Sequence, residues 1–157
     1  MTKPNFVYVS FIRTTPERVW SALTNPDLTK QYWFGMHHDT DWQPGSPWRL
    51  VFGDGRVADA GEVVEAVPPR RLVLKWRNEF RPELKSEGYS RCTIDIEPVD
   101  SAVKLTVIHE MEALAGDKSQ FIAAVSGGWP RILSNLKSLL ETGEVVFKNV
   151  HVAEDRR

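Results

Sequence analysis

Hydrophobic and polar positions alternate with a period of two through the middle of this chain, and the period lengthens to that of a helix near its C-terminal end. Arg71 to Arg77 sets Leu72, Leu74 and Trp76 against Val73, Lys75 and Arg77. Tyr89 to Glu97 sets Cys92, Ile94 and Ile96 against Thr93, Asp95 and Glu97. Val103 to Met111 puts Val103, Leu105, Val107, His109 and Met111 on one face, opposite Lys104, Thr106, Ile108 and Glu110. One wet face and one buried face is the pattern of antiparallel sheet. Pro47 to Phe52 and Val57 to Ala66 are two further strands, joined by a Gly53-Asp54-Gly55 turn. Phe6 to Ile12 is aromatic and β-branched, which predicts a strand with apolar contacts on both faces.

Two short helices are expected after that first strand. Thr15 can cap free backbone N–H groups, Pro16 suits the first helical position, and Glu17 complements the dipole. Asn25-Pro26-Asp27 ends this helix and opens a second, running to about Phe34. The last element is longer. Phe121, Val125, Trp129, Ile132, Leu136 and Leu139 or Leu140 recur at steps of three and four from Gln120 to Glu141, until Gly143 stops them. Within it Gly127-Gly128-Trp129-Pro130 opposes helix propensity. This predicts a kink, or a second helix starting at Pro130, and the two glycines leave room for a ligand beneath. Strands grouped between helices, rather than alternating with them, give an α+β fold.

Composition narrows the function classes. Apolar content of 41% and charged content of 26% are those of a globular protein. The net charge of −1 excludes a strong field for nucleic acid or an anionic membrane. The sign-alternating run from Arg77 to Arg91 reads as a solvated hairpin tip. No apolar stretch of membrane-spanning length and no secretory signal is present, so a cytoplasmic location is expected. The lone Cys92 rules out an intrachain disulfide and reads as a neutral buried thiol.

Few residues carry candidate chemistry. No nucleophile elbow is present, and Gly53-Asp54-Gly55 does not continue into a dinucleotide fingerprint. No cofactor is expected. His37, Asp39 and Asp41 would share a face if extended, with His38 as a fourth candidate. The stretch nevertheless reads as a loop touching a ligand's polar head at most, and no metal site is expected. His109 faces inward beside Leu105 and Val107, either as a satisfied core residue, as a polar anchor in an apolar pocket, or as a general base. For the last role only Glu62 or Glu65 offers a carboxylate partner.

Three segments carry a family resemblance: Thr15-Pro16-Glu17-Arg18-Val19-Trp20-Ser21-Ala22-Leu23-Thr24-Asn25-Pro26-Asp27; Gly61 to Glu65 with Pro68-Pro69-Arg70-Arg71-Leu72-Val73; and Gly128-Trp129 with Leu133, Leu136 and Leu140. The chain resembles, over about residues 5–142, the Hsp90-ATPase-activator-homologue-like branch of the START/Bet v 1 superfamily. The resemblance implies one helix-grip domain over residues 1–157, with 143–157 as a tail: a curved antiparallel sheet of six to seven strands around the long helix. It also implies a hydrophobic cavity between them. Trp33, Trp76, Ile94, Leu105, Val107, His109, Val125, Gly128, Trp129 and Ile132 are then the expected lining. The leading expectation is non-catalytic binding of a small hydrophobic molecule. The alternatives are a chaperone-binding module of Hsp90-activator type, expected here without the co-chaperone's additional N-terminal domain, and a cyclase- or lyase-like enzyme using His109. Superfamily members often form homodimers. Val145-Val146-Phe147 is apolar enough to pack back on the domain or pair with a neighbour.

Overall fold

A computed structural model describes residues 5–112 and 119–148. Seven strands form one curved antiparallel sheet: β1 (Asn5–Ile12), β2 (His37–Asp39), β3 (Pro47–Val51), β4 (Val57–Val67), β5 (Arg71–Asn78), β6 (Ser90–Val99) and β7 (Ala102–Met111). Their order is β1-β7-β6-β5-β4-β3-β2, so β1 and β2 are the edges. Helices α1 (Pro16–Thr24) and α2 (Pro26–Tyr32) follow β1, α3 (Pro82–Lys85) precedes β6, and α4 (Gln120–Thr142) lies over the concave face. This is the expected α+β grip.

The helix starts use the residues read from the sequence. The Thr15 hydroxyl accepts from the Arg18 N–H at 3.2 Å, and the Asn25 side chain accepts from Asp27 N–H at 2.9 Å. Ser119 caps α4 by accepting from Ile122 N–H at 3.0 Å, and Gly143 closes it at φ +90°. A left-handed residue here satisfies the last carbonyls at no Cβ cost. Pro130 does not restart the helix: α4 runs unbroken for 23 residues, about 35 Å.

The inward faces of β5, β6 and β7 are those that alternation predicts: Leu72, Leu74, Trp76, Cys92, Ile94, Ile96, Val103, Leu105, Val107, His109 and Met111 are all buried. Strand β1 departs from expectation. Only its inner side packs, whereas Val7, Val9 and Phe11 are 55%, 43% and 52% exposed, because β1 is an edge and no layer covers its outer face among the described residues.

Irregularities in β4 decide where side chains point. The register shifts between Leu50 and Val51 against β3, and between Val63 and Glu65 against β5. An extra residue reverses the facing beyond it. At Gly61 the β5 backbone comes so near that an added Cβ would lie 1.8 Å from Lys75 O. Only glycine fits there.

The far end of the grip is tied by hydrogen bonds. Asn135, buried in α4, accepts from Val146 N–H at 3.0 Å and Phe147 N–H at 2.7 Å. Its amide nitrogen donates to Phe147 O at 2.9 Å and Tyr32 O at 3.3 Å. The run after α4 is therefore tied back through its backbone, with Val145 partly buried and the Val146 and Phe147 side chains exposed, beside a groove of about 270 Å3 that includes Lys30, Phe34, Val145 and Phe147.

Candidate functional site

Under the N-terminal half of α4 the core is built almost wholly of aromatic rings. Trp33 follows α2, Trp76 is on β5, His109 on β7 and Trp129 on α4. Trp76 touches His109 with centroids 4.9 Å apart and Trp33 at 6.5 Å, while Trp129 lies 5.2 Å from Trp33 and 5.8 Å from His109. Trp48 and His38 extend the cluster beyond Trp76, and Phe121 closes it against His109. Such spacings are those of packed rings.

Of the expected lining, Trp33, Trp76, Ile94, Leu105, Val107, His109 and Trp129 are buried, and Val125, Gly128 and Ile132 are half-buried on the flank of α4. The glycine pair divides. Gly127 faces solvent and so does not cover a cavity, whereas Gly128 is half-buried with nothing within 4 Å of an added Cβ.

Hydrogen bonding within the cluster is incomplete. Five buried side-chain polar atoms have no partner among the described residues, and three of them belong here: His38 Nε2, Trp76 Nε1 and His109 Nε2. Buried polar atoms are seldom left so, because each forfeits its bond to water. The neighbouring bonds bear on their roles. Ser90 Oγ lies 3.1 Å from Trp76 O and 3.3 Å from His109 Nδ1, so the serine engages Nδ1 in either tautomer of the ring. His109 Nε2 is left without a partner. Trp48 Nε1–H donates to His38 Nδ1 at 3.0 Å, which leaves His38 Nε2–H a free donor, whereas Trp76 Nε1–H has the buried Asp59 carboxyl beside it. Burial lowers both histidines to about 3, with His37 adding to the effect on His38, so both rings are neutral near pH 7.

The loop reading of residues 37–41 holds at Thr40 and Asp41, and is corrected at His37–Asp39. His38 lies in edge strand β2, is buried, and packs against Trp33 and Trp42 with centroids 4.7 Å and 5.5 Å away. Asp39 pairs with Arg49 across the strand, outside the cluster. No cluster of metal-ligating side chains occurs among the described residues.

Neither carboxylate considered for His109 reaches it. Glu62 is exposed, and Glu65 pairs with Arg71 at 3.3 Å. The inward carboxyl of β4 is Asp59 instead, buried beside Trp76 and Asn78. Burial raises it to about 7, offset by Trp76 and Asn78 and reinforced by Glu79. Alternation in β4 could have found it had the bulge near Val63 been visible.

A seven-stranded antiparallel sheet gripping a C-terminal helix, with two short helices after the first strand, defines the helix-grip class. Within it, the chain belongs to the family described as Activator of Hsp90 ATPase homolog 1-like protein, which it matches over residues 13–141. Similar solved structures include a protein from Mesorhizobium loti (22% identity, 90% of this chain and 99% of that chain, TM-score 0.73). An Hsp90 activator from Plasmodium falciparum is also similar (20%, 88% and 96%, TM-score 0.71). So is the Aha1 dimer from Colwellia psychrerythraea (20%, 88% and 97%, TM-score 0.67). At these identities the structures share the fold. No curated protein matches the sequence. No helix among the described residues is long and apolar enough to cross a membrane.

Proposed function

We propose that this protein binds a small hydrophobic or amphipathic molecule between the sheet and the N-terminal half of α4. One observation carries the reading: two buried imidazole nitrogens without partners, His38 Nε2 and His109 Nε2, stand in a cluster built mostly of aromatic and apolar side chains. An apolar site with a few placed polar groups is the usual construction of a ligand pocket. The ligand class follows from that set: an apolar body carrying a hydrogen-bond acceptor for His38 Nε2–H and a second polar group for His109 Nε2. Trp129 and Trp33 would part to admit it, next to Gly128 and to Pro130, whose missing N–H leaves α4 locally without one of its hydrogen bonds. A buried imidazole at about 3 is a poor general base near neutral pH, so binding rather than turnover is the reading His109 supports. Native mass spectrometry of protein purified without denaturation tests it. A stoichiometric small-molecule adduct, absent from a Trp129→Ala variant that stays folded, is the expected outcome; unadducted protein that also takes up nothing from lipid extract would count against it.

A chaperone-binding module is the second reading, favoured by the family itself and by the Hsp90 activator among its structural relatives. Stimulation of an Hsp90 ATPase by the purified chain would support it, and no stimulation at saturating protein would remove it.

A further inference from the structure

The two edges of the sheet are built differently. β2 is three residues long and carries an ion-paired aspartate, which are ordinary guards against strand addition. β1 is eight residues long, Asn5-Phe6-Val7-Tyr8-Val9-Ser10-Phe11-Ile12, with no charge, proline or glycine, and it pairs with β7 without a bulge. Its outer face is the exposed Val7, Val9 and Phe11 row. An edge of this kind is a template for another strand.

We propose that the edge of β1, uncovered among the described residues up to Phe11, is a self-association site at which two copies of this chain join their sheets, β1 antiparallel to β1 about a two-fold axis. The register follows from the edge itself. Lys137 Nζ donates to Phe11 O at 2.5 Å, and Arg13 N–H donates to Glu141 at 2.8 Å, so α4 already occupies the edge at Phe11 and beyond. Residues alternate in the side to which their backbone groups point. Phe11 O lies on the free side, so Asn5, Val7 and Val9 also present N–H and C=O there. The longest self-pairing that leaves Phe11 untouched centres on Val7: Val7 faces Val7 of the second copy, and Asn5 faces its Val9. The valines of both copies then form one continuous apolar row. The charges agree with the antiparallel sense. Beside β1 on the outer face, β7 carries Glu110 at the Asn5 end and Lys104 at the Phe11 end, so the axis brings the acidic end of one copy to the basic end of the other. A second copy is self-complementary here, as an isologous interface requires.

The test is covalent as well as hydrodynamic. Sedimentation of the wild-type chain over a concentration series should show a monomer–dimer equilibrium. Val7→Lys sets two ammonium groups against each other and should abolish the dimer, with circular dichroism unchanged and melting equal to that of wild-type protein diluted to monomer. Val67→Lys, at an exposed valine on β4, should leave it intact. Val7→Cys should cross-link to itself under mild oxidation, because directly paired residues fall within disulfide reach, whereas Val9→Cys should not, since Val9 faces Asn5. A monomer at every concentration, a Val7→Lys dimer as tight as wild type, or equal cross-linking at both positions would overturn the proposal.

Discussion

Asn135 and His109 are both polar, both fully buried and both within the grip, yet their surroundings differ completely. Every hydrogen-bonding position of the Asn135 amide is used, joining α4 to α2 and to the segment after Gly143. His109 has one nitrogen bonded to Ser90 and the other bare, among tryptophans. The same helix is thus a closed joint at its C-terminal half and an incomplete one at its N-terminal half. A protein that needed only a stable core would satisfy both or make both apolar, since a half-satisfied buried group is costlier than either. On the proposed reading, stability lies at one end and recognition at the other.

The contrast can be broken most forcefully at the closed end. Leu136→Ala, at a fully buried position, is expected to cost about 3 kcal/mol in urea unfolding, as large-to-small core changes do. Asn135→Ala should cost about 2 kcal/mol, because several hydrogen bonds are lost together and the Val146 and Phe147 N–H groups lose their acceptor. Neither variant should alter ligand affinity if recognition lies at the other end.

At the open end the effects are smaller and take a different form. Folding lowers His109 from 6.5 to about 3, so the unfolded chain binds the extra proton. Its contribution to stability is complete above pH 6.5 and is lost as pH falls towards 3. His109→Phe should remove about 1.4 kcal/mol per pH unit of acid sensitivity in that window, with little change at neutral pH. Asp59 has the opposite sign: raised from 3.8 to about 7, it favours the folded state below 3.8 and loses that contribution as pH rises through 7. Asp59→Asn should therefore remove a fall in stability between pH 3.8 and about 7, which in the wild type opposes the rise from His109 over most of its window. Gly128→Ala is expected to stabilise the free protein by up to about 1 kcal/mol, since its Cβ meets nothing and alanine favours helix. It should weaken ligand binding at the same time.

The fold was legible because β5, β6, β7 and α4 each obey one period over eight residues or more. The site was legible only in part. His109, Trp76 and Trp129 lie on such regular elements, and their convergence follows from the topology. His38 does not: its burial depends on Trp48, ten residues away on the neighbouring strand, and a three-residue edge strand has no period to read. Asp59 was hidden by the bulge that shifts β4, which made Glu62 and Glu65 look equally placed. On β1 the apolar alternates, Val7, Val9 and Phe11, mimic a strand buried on both faces, and only the strand order makes them an exposed edge.

Tryptophan fluorescence titration of the wild-type chain and of His109→Phe, against fatty acids, phenols and aromatic ketones, tests the central claim most directly. A saturable change is expected for at least one compound, with affinity about ten-fold or more weaker in the variant, the loss expected for one buried hydrogen bond. Saturable binding with identical affinity in both proteins, or no saturable change across the panel, would contradict it.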